Sequence, residues 1–350
     1  MTTLFVPGRL CLLGEHSDWA GGLRREGVEI MPGACIVTGT DQGITATVEP
    51  ADDFEITSRL PDGQVIGPVH VPMEASALQR AAASGDFFSY AAGVAAEVWQ
   101  RYRPGGVRIT ATDLDLPIRR GLSSSAAICV LIARAFNRVH QLGLGLDDEM
   151  ELAYQGELVA GSQCGRMDQA CAYGKRQVLM RFDGDTVSVE LLRPRHVLHF
   201  LIVDLLRAKD TRRILSDLHE RFTGPDGEPR RALRVALGAR NLELVGQARA
   251  ALEAGDARRL GAAMIEAQER FDRDVAPACP SELTAPHLHA VLAHPAAREL
   301  AWGGKGVGSQ GDGSAQLVCR GTEARAELAR RLTVDCGVRC LPLTIEPEAA

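Results

Sequence analysis

The sequence predicts an α+β protein built as two domains, and three observations predict it. The chain has 350 residues, beyond the roughly 250–300 at which one hydrophobic core stops growing. Apolar residues make up 45% and charged residues 24%, a globular composition that excludes disorder, collagen and coiled coil for the whole chain. Strand-like and helix-like patterns are mixed in both halves, without the regular rhythm of a doubly wound parallel sheet.

The elements follow in order. Residues 10–13 are an apolar strand ended by Gly14, and residues 44–48 alternate as a strand does. The first 60 residues read as strand and turn throughout. Residues 87–102 read as a helix with Ala91, Val94, Ala95 and Val98 on one side, and residues 107–112 as a strand. From Ser125 to about Val139, Ile128, Leu131, Ile132, Ala135, Phe136 and Val139 recur at helical spacing, with Arg134 and Arg138 on the wet edge. A second helix runs from Asp147, its N-cap, to about Ala160. Residues 196–205 form an apolar strand, and the domain boundary is placed just before it, giving domains 1–194 and 195–350. Helices are expected at 209–222, 228–253 and 256–271, then a strand at 315–319, a helix at 323–332 and a strand at 337–344.

Composition narrows the partners. The chain carries 39 Lys+Arg and 45 Asp+Glu, net −6, which lacks the basic balance of a nucleic-acid binder. No run reaches the roughly 20 apolar residues of a membrane span. Nine scattered cysteines with no C-x-x-C pair read as reduced thiols, and the first residues do not read as a signal peptide. The expectation is a cytoplasmic protein without nucleic-acid or membrane partners, a monomer or homodimer.

Four segments carry chemistry. Residues 120–127, RGLSSSAA, put a glycine and three serines at the mouth of the long apolar helix. First-turn N–H groups lack internal partners and favour negative charge, which suits phosphate; a plain N-cap serine run is the alternative. Residues 303–313, GGKGVGSQGDG, allow close backbone approach. They match G-x-G-x-x-G but precede a strand near the C-terminus, so a dinucleotide fold is rejected, and no P-loop sequence occurs. Residues 7–22, PGRLCLLGEHSDWAGG, release Glu15, His16 and Asp18 at a strand end, where they would hold hydroxyls of a polar ligand or lie in a solvated turn. Residues 157–169, ELVAGSQCGRMDQ, follow a helical glutamate with a small-residue loop and Asp168, a pair of carboxylates suited to dividing metal and base duties. His287 and His289 have no evident ligand partner and read as surface or satisfied histidines.

Together and in this order, the four segments resemble the motifs of the GHMP kinase superfamily, specifically its galactokinase-like branch; ACPSELTAPHLHAVL (278–292) also resembles the helix before the family's third motif. The resemblance implies an N-terminal domain like domain 2 of ribosomal protein S5, a ferredoxin-like C-terminal domain, and use of ATP and Mg²⁺. It implies that Gly121, Leu122, Ser123, Ser124, Ser125 and Ala126 wrap the nucleotide phosphates, with Ser125 and Glu157 as metal ligands. Asp168 matches the residue that takes the proton from the substrate hydroxyl, and Arg9 the basic residue that polarises it. Glu15, His16, Asp18 and Trp19 match the substrate-binding residues of the first motif. The implied activity is phosphorylation of a monosaccharide at its anomeric hydroxyl. Other acceptors (a non-sugar alcohol, a heptose or a uronic acid) and a silent ligand sensor are the alternatives. The chain departs from the family pattern at Arg119, at Ser309, Gln310 and Asp312, at Ser17, Trp19 and Ala20 of the first motif, and in the charged stretch 23–29; these changes surround the acceptor pocket, and Arg119 with Arg120 would bind phosphate oxygens or the substrate, or lie outside the loop.

Overall fold

The computed structural model describes residues 1–60, 63–117, 121–162 and 164–347; Arg119 and Arg120 lie outside the described residues. The chain forms two compact units: Met1–Arg9, Thr38–Ile118 and Leu122–Lys175 make the first, and Leu10–Val37, Arg119–Gly121 and Arg176–Ala350 the second.

The first unit contains the start of β1 (Thr2–Leu13), most of β2 (Gly33–Ala51), and β3 (Phe54–Arg59), β4 (Val65–Val71) and β5 (Gly106–Leu114). Their order is β4-β3-β5-β2, with β1 beside β2. β2 pairs antiparallel with β5 in the register Thr47↔Thr110, and β3 runs parallel to β5 with Ile56↔Ile109. The odd-numbered side of β5 (Val107, Ile109, Ala111) and Phe54 and Ile56 of β3 are fully buried. The Phe54 ring stacks on Phe136 of the Ser124–His140 helix at 6.2 Å between centroids. The Ser89–Tyr102 and Leu146–Val159 helices meet backbone to backbone: a Cβ on Gly93 would lie 2.1 Å from the Gly156 carbonyl oxygen, and one on Gly156 2.4 Å from the Val94 side chain. Only glycine permits that approach.

The second unit contains β6 (Gln177–Asp183), β7 (Thr186–Leu192), β8 (Leu198–Asp204), β9 (Ala301–Gly306), β10 (Ser314–Cys319) and β11 (Arg339–Ile345). β6 pairs antiparallel with β7. The last four strands form one antiparallel sheet in the order β11-β8-β10-β9. Numbered along the chain that order is fourth, first, third, second, with helices after the first and third strands, which is the ferredoxin-like arrangement. Leu201, Val203, Ala315 and Leu317 form its core with Leu328 and Leu332 of the Thr322–Cys336 helix.

Three expectations are corrected. Residues Ser17–Gly22 are a short helix rather than a turn; its two terminal glycines hid it. The helix expected at 228–253 is two, Glu228–Leu237 and Ala239–Ala254, broken at Gly238. Gly145, not Asp147, caps the Leu146–Val159 helix: the Asp148 carboxylate accepts from the Gly145 N–H at 2.9 Å, while Asp147 accepts from the Tyr173 hydroxyl.

A Cβ on Gly33 would lie 1.9 Å from the Ser17 carbonyl oxygen. Gly33→Ala is therefore expected to cost about 1–3 kcal/mol, the usual cost of overpacking. The check is the urea midpoint, which should fall at constant slope; an unchanged midpoint would show that the two segments separate freely.

Candidate active site

In the first unit the reactive groups gather around Gly8 and Arg9 of β1 and the start of the Ser124–His140 helix. Gly8 brings the strand close, since a Cβ there would lie 2.9 Å from the Leu122 carbonyl oxygen. The next residue, Arg9, donates its N–H to that oxygen at 3.0 Å. The Arg9 side chain is buried, and its Nη2 donates to Oδ1 of Asp168, the first residue of the 3₁₀ turn Asp168–Tyr173. The Asp168 side chain keeps 27% of its surface exposed, so one charged group is sealed in the protein and its partner reaches solvent.

The helix entry combines left-handed backbone with an uncapped first turn. Gly121 and Ser123 both adopt left-handed backbone, φ 82° and 54°. A serine in that region is strained, a condition that concentrates at functional turns. Ser123 occupies the N-cap position yet makes no capping hydrogen bond with its side chain. The first-turn N–H groups are thus left for another acceptor, and the helix dipole favours an anion there. Leu122 and Ala126 are buried and anchor the loop, whereas Ser123, Ser124 and Ser125 keep intermediate exposure.

Ser125 hydrogen-bonds the Glu157 carboxylate, which is 1% exposed and also accepts from Gln169 Nε2. Burial first, then the charge of Asp168, pushes the Glu157 carboxyl up to about 7. Gln169 Oε1 is buried without a hydrogen-bond partner. Hydroxyl and carboxylate oxygens within mutual hydrogen-bond reach, beside an orphaned amide oxygen, fit a hard divalent cation. Magnesium sites typically take one or two carboxylates and leave the remaining positions to substrate phosphates and water. Among the described residues there is no cluster of three or more His, Cys, Asp or Glu side chains that could hold a metal ion.

Glu157 gives a stability test. Its folded pKa lies above its ordinary 4.5, so the neutral form is the favoured one in the fold. Its contribution is fully present below pH 4.5 and is lost as pH rises through about 7. In metal-free protein, Glu157→Gln should therefore raise the melting temperature at pH 8 and leave it unchanged at pH 4. Melting curves for the two proteins that run parallel from pH 4 to 8 would overturn this.

The second unit holds the other site residues. β1 ends at Leu13, and Gly14 turns with φ 101° where a Cβ would strike the Ala34 carbonyl oxygen. Glu15, His16 and Asp18 follow, all buried. Glu15 Oε1 accepts from the ammonium of Lys305, which is 1% exposed and also donates to the Gly306 carbonyl at 2.7 Å. Trp19 Nε1 donates to His16 Nδ1 at 3.1 Å, so Nε2 carries the ring proton and points at the Ser309 carbonyl, 3.4 Å away. Burial holds the His16 imidazole down at about 4, neutral in the physiological range. The Trp19 ring is already packed, edge-on to Phe222 at 5.4 Å and tilted on His219 at 6.3 Å. Arg24 is engaged with Asp183 and the Ile30 carbonyl, and Arg25 with Asp185 and Glu26; the charged stretch 23–29 is thus tied to the β6–β7 turn. His289 lies 3.5 Å from Asp272, a partner the sequence did not suggest.

Lys305 and Gln169 are the site-proximal residues that sequence reasoning passed over. Lys305 stood inside the glycine run, and Gln169 next to Asp168; a lone lysine among glycines was the available signal.

Residues 89–175 match the family described as GHMP kinases N terminal domain. The chain is 30% identical over 190 residues to a galactokinase of Thermosipho africanus, covering 53% of this chain and 47% of that protein. It is 29% identical over 194 residues to a galactokinase of Pyrococcus furiosus, covering 54% and 49%. The matches thus span about half the length of these curated relatives. Among solved structures, Lactococcus lactis galactokinase complexed with galactose superposes with a TM-score of 0.74 at 16% identity, over 99% of this chain and 94% of that one. L. major mevalonate kinase in complex with R-mevalonate gives 0.72 at 17% identity, over 100% and 97%.

Proposed function

We propose that this chain is a kinase of the GHMP type, a reading supported by the family match over residues 89–175 and by the likeness to galactokinases, and that it transfers the γ-phosphoryl group of ATP to a hydroxyl of a monosaccharide, at the anomeric position. The observation that carries the reading is the Arg9–Asp168 pair in the same unit as an uncapped, serine-lined helix entry. In this reading residues 1–194 are the nucleotide-binding domain and residues 195–350 the C-terminal domain of a cytoplasmic enzyme.

Residues Gly121–Ala126 hold the nucleotide phosphates through N–H groups and hydroxyls. Ser125 and Glu157 hold Mg²⁺, which when bound neutralises charge on the phosphate oxygens. Asp168 accepts the hydroxyl proton of the acceptor, the freed oxygen forms a bond to the γ-phosphorus, the bridging β–γ oxygen bond breaks, and ADP leaves. An alcohol is a poor acid, so Arg9 contributes by offsetting negative charge on the attacking oxygen. Glu15, His16, Asp18 and Trp19 are proposed to recognise the acceptor. A non-sugar alcohol is the second reading, since the fold is similar to mevalonate kinase (TM-score 0.72) as well as to galactokinase (0.74).

An ADP-release screen over aldoses, uronic acids, heptoses and small alcohols, followed by phosphorus NMR of the product, tests the reading. Phosphate on the anomeric oxygen of an aldose is the expected result. Turnover of a simple alcohol alone would favour the second reading, and no ADP with any acceptor would favour a silent sensor.

A further inference from the structure

Lys305 is the least expected side chain of the second unit. Lysine is almost never fully buried unless paired, and here it lies on β9 opposite Gln316 of β10, whose side-chain amide is itself committed to the Cys11 carbonyl at 2.7 Å. The ammonium bonds both Glu15 Oε1 and the Gly306 carbonyl. The Gly306 N–H is fixed in turn by Gln268 Oε1 at 2.7 Å. The lysine is therefore immobile, and it immobilises one oxygen of Glu15. The second oxygen, Oε2, accepts no hydrogen bond among the described residues. The pair as a whole carries no net charge.

We propose that Lys305 is the specificity-determining residue behind Glu15: it holds the carboxylate by one oxygen and cancels its charge, so that the other oxygen accepts from an uncharged hydroxyl of the acceptor and an ammonium group finds no advantage there. This rests on the kinase reading, in which Glu15 meets the acceptor. A lone buried carboxylate would do the opposite, since it would attract an amine and favour its charged form. Neutral His16 beside the pair adds no charge to alter that balance.

The test uses the full chain, the best acceptor from the ADP-release screen, and its deoxy-amino analogues. Wild-type protein should prefer the hydroxyl acceptor. Lys305→Met should raise the acceptor KM roughly tenfold with a much smaller change in the KM for ATP, and should shift the kcat/KM ratio toward one amino analogue by roughly tenfold, the size of one charge-assisted hydrogen bond. Glu15→Gln keeps the shape without the charge, and it should raise the same KM without the shift toward the amine. If Lys305→Met is too unstable to assay, the Glu15→Gln and Lys305→Met/Glu15→Gln proteins carry the test. An acceptor KM unmoved in both would overturn the inference while leaving the kinase reading intact. Failure of the wild-type chain to turn over any acceptor would overturn the kinase reading and the inference with it.

Discussion

Asp168→Asn is expected to lower turnover by roughly 10²–10⁴-fold, the usual worth of a positioned acid–base group. The amide is nearly the same shape and can still accept a hydrogen bond from Arg9 through its oxygen, which limits the stability lost when the buried guanidinium is left without its matching charge. What it loses is the capacity to take a proton and the negative charge that matches the guanidinium. The loss should fall on kcat, with the KM for ATP little changed, because the nucleotide is proposed to be held by the Ser124–His140 helix entry rather than by this carboxylate. Single-turnover ADP formation under saturating ATP is the measurement. Near-normal rates would reduce Asp168 to a partner that merely orients Arg9 or the hydroxyl.

The second large effect is on stability. Lys305→Met should destabilise the chain by about 3–5 kcal/mol, the cost of breaking a buried pair by removing one member. The cause is less the lost attraction than the Glu15 carboxylate left behind, 5% exposed and uncompensated. The double variant Lys305→Met/Glu15→Gln should recover most of that loss, because replacing both charges is often near neutral. Urea denaturation of the four proteins gives the coupling directly. A double variant no more stable than the single one would mean that the lysine matters for its packing and its bond to Gly306, not for its charge.

The sequence made the long periodic elements legible. The Ser124–His140 helix was visible because its apolar positions recur every three or four residues, and β1 because Gly14 ends an apolar run. The short Ser17–Gly22 helix was not, since two glycines and a single turn leave no period to read. Gly238 was equally silent, because an isolated glycine is compatible with a continuing helix. The site shows the same division. Arg9 and Asp168 lie 159 residues apart, and no spacing rule joins residues so distant; the resemblance of short motifs named them, and the fold brings them together. Lys305 was passed over for a physical reason, since a lysine in a glycine run reads as a solvated loop while β9 carries it into the interior.

The seam where Gly93 meets Gly156 has a reach that its chemistry hides. Neither glycine carries a reactive atom, yet Glu157 is the very next residue along the Leu146–Val159 helix. One added methyl at either position would push the helices apart and drag the carboxylate from Ser125 and Gln169. A descendant of this protein is thus free to redecorate its surface but is forbidden to thicken this joint, and random mutagenesis should recover inactivating changes at 93 and 156 that look, on their face, like harmless alanines.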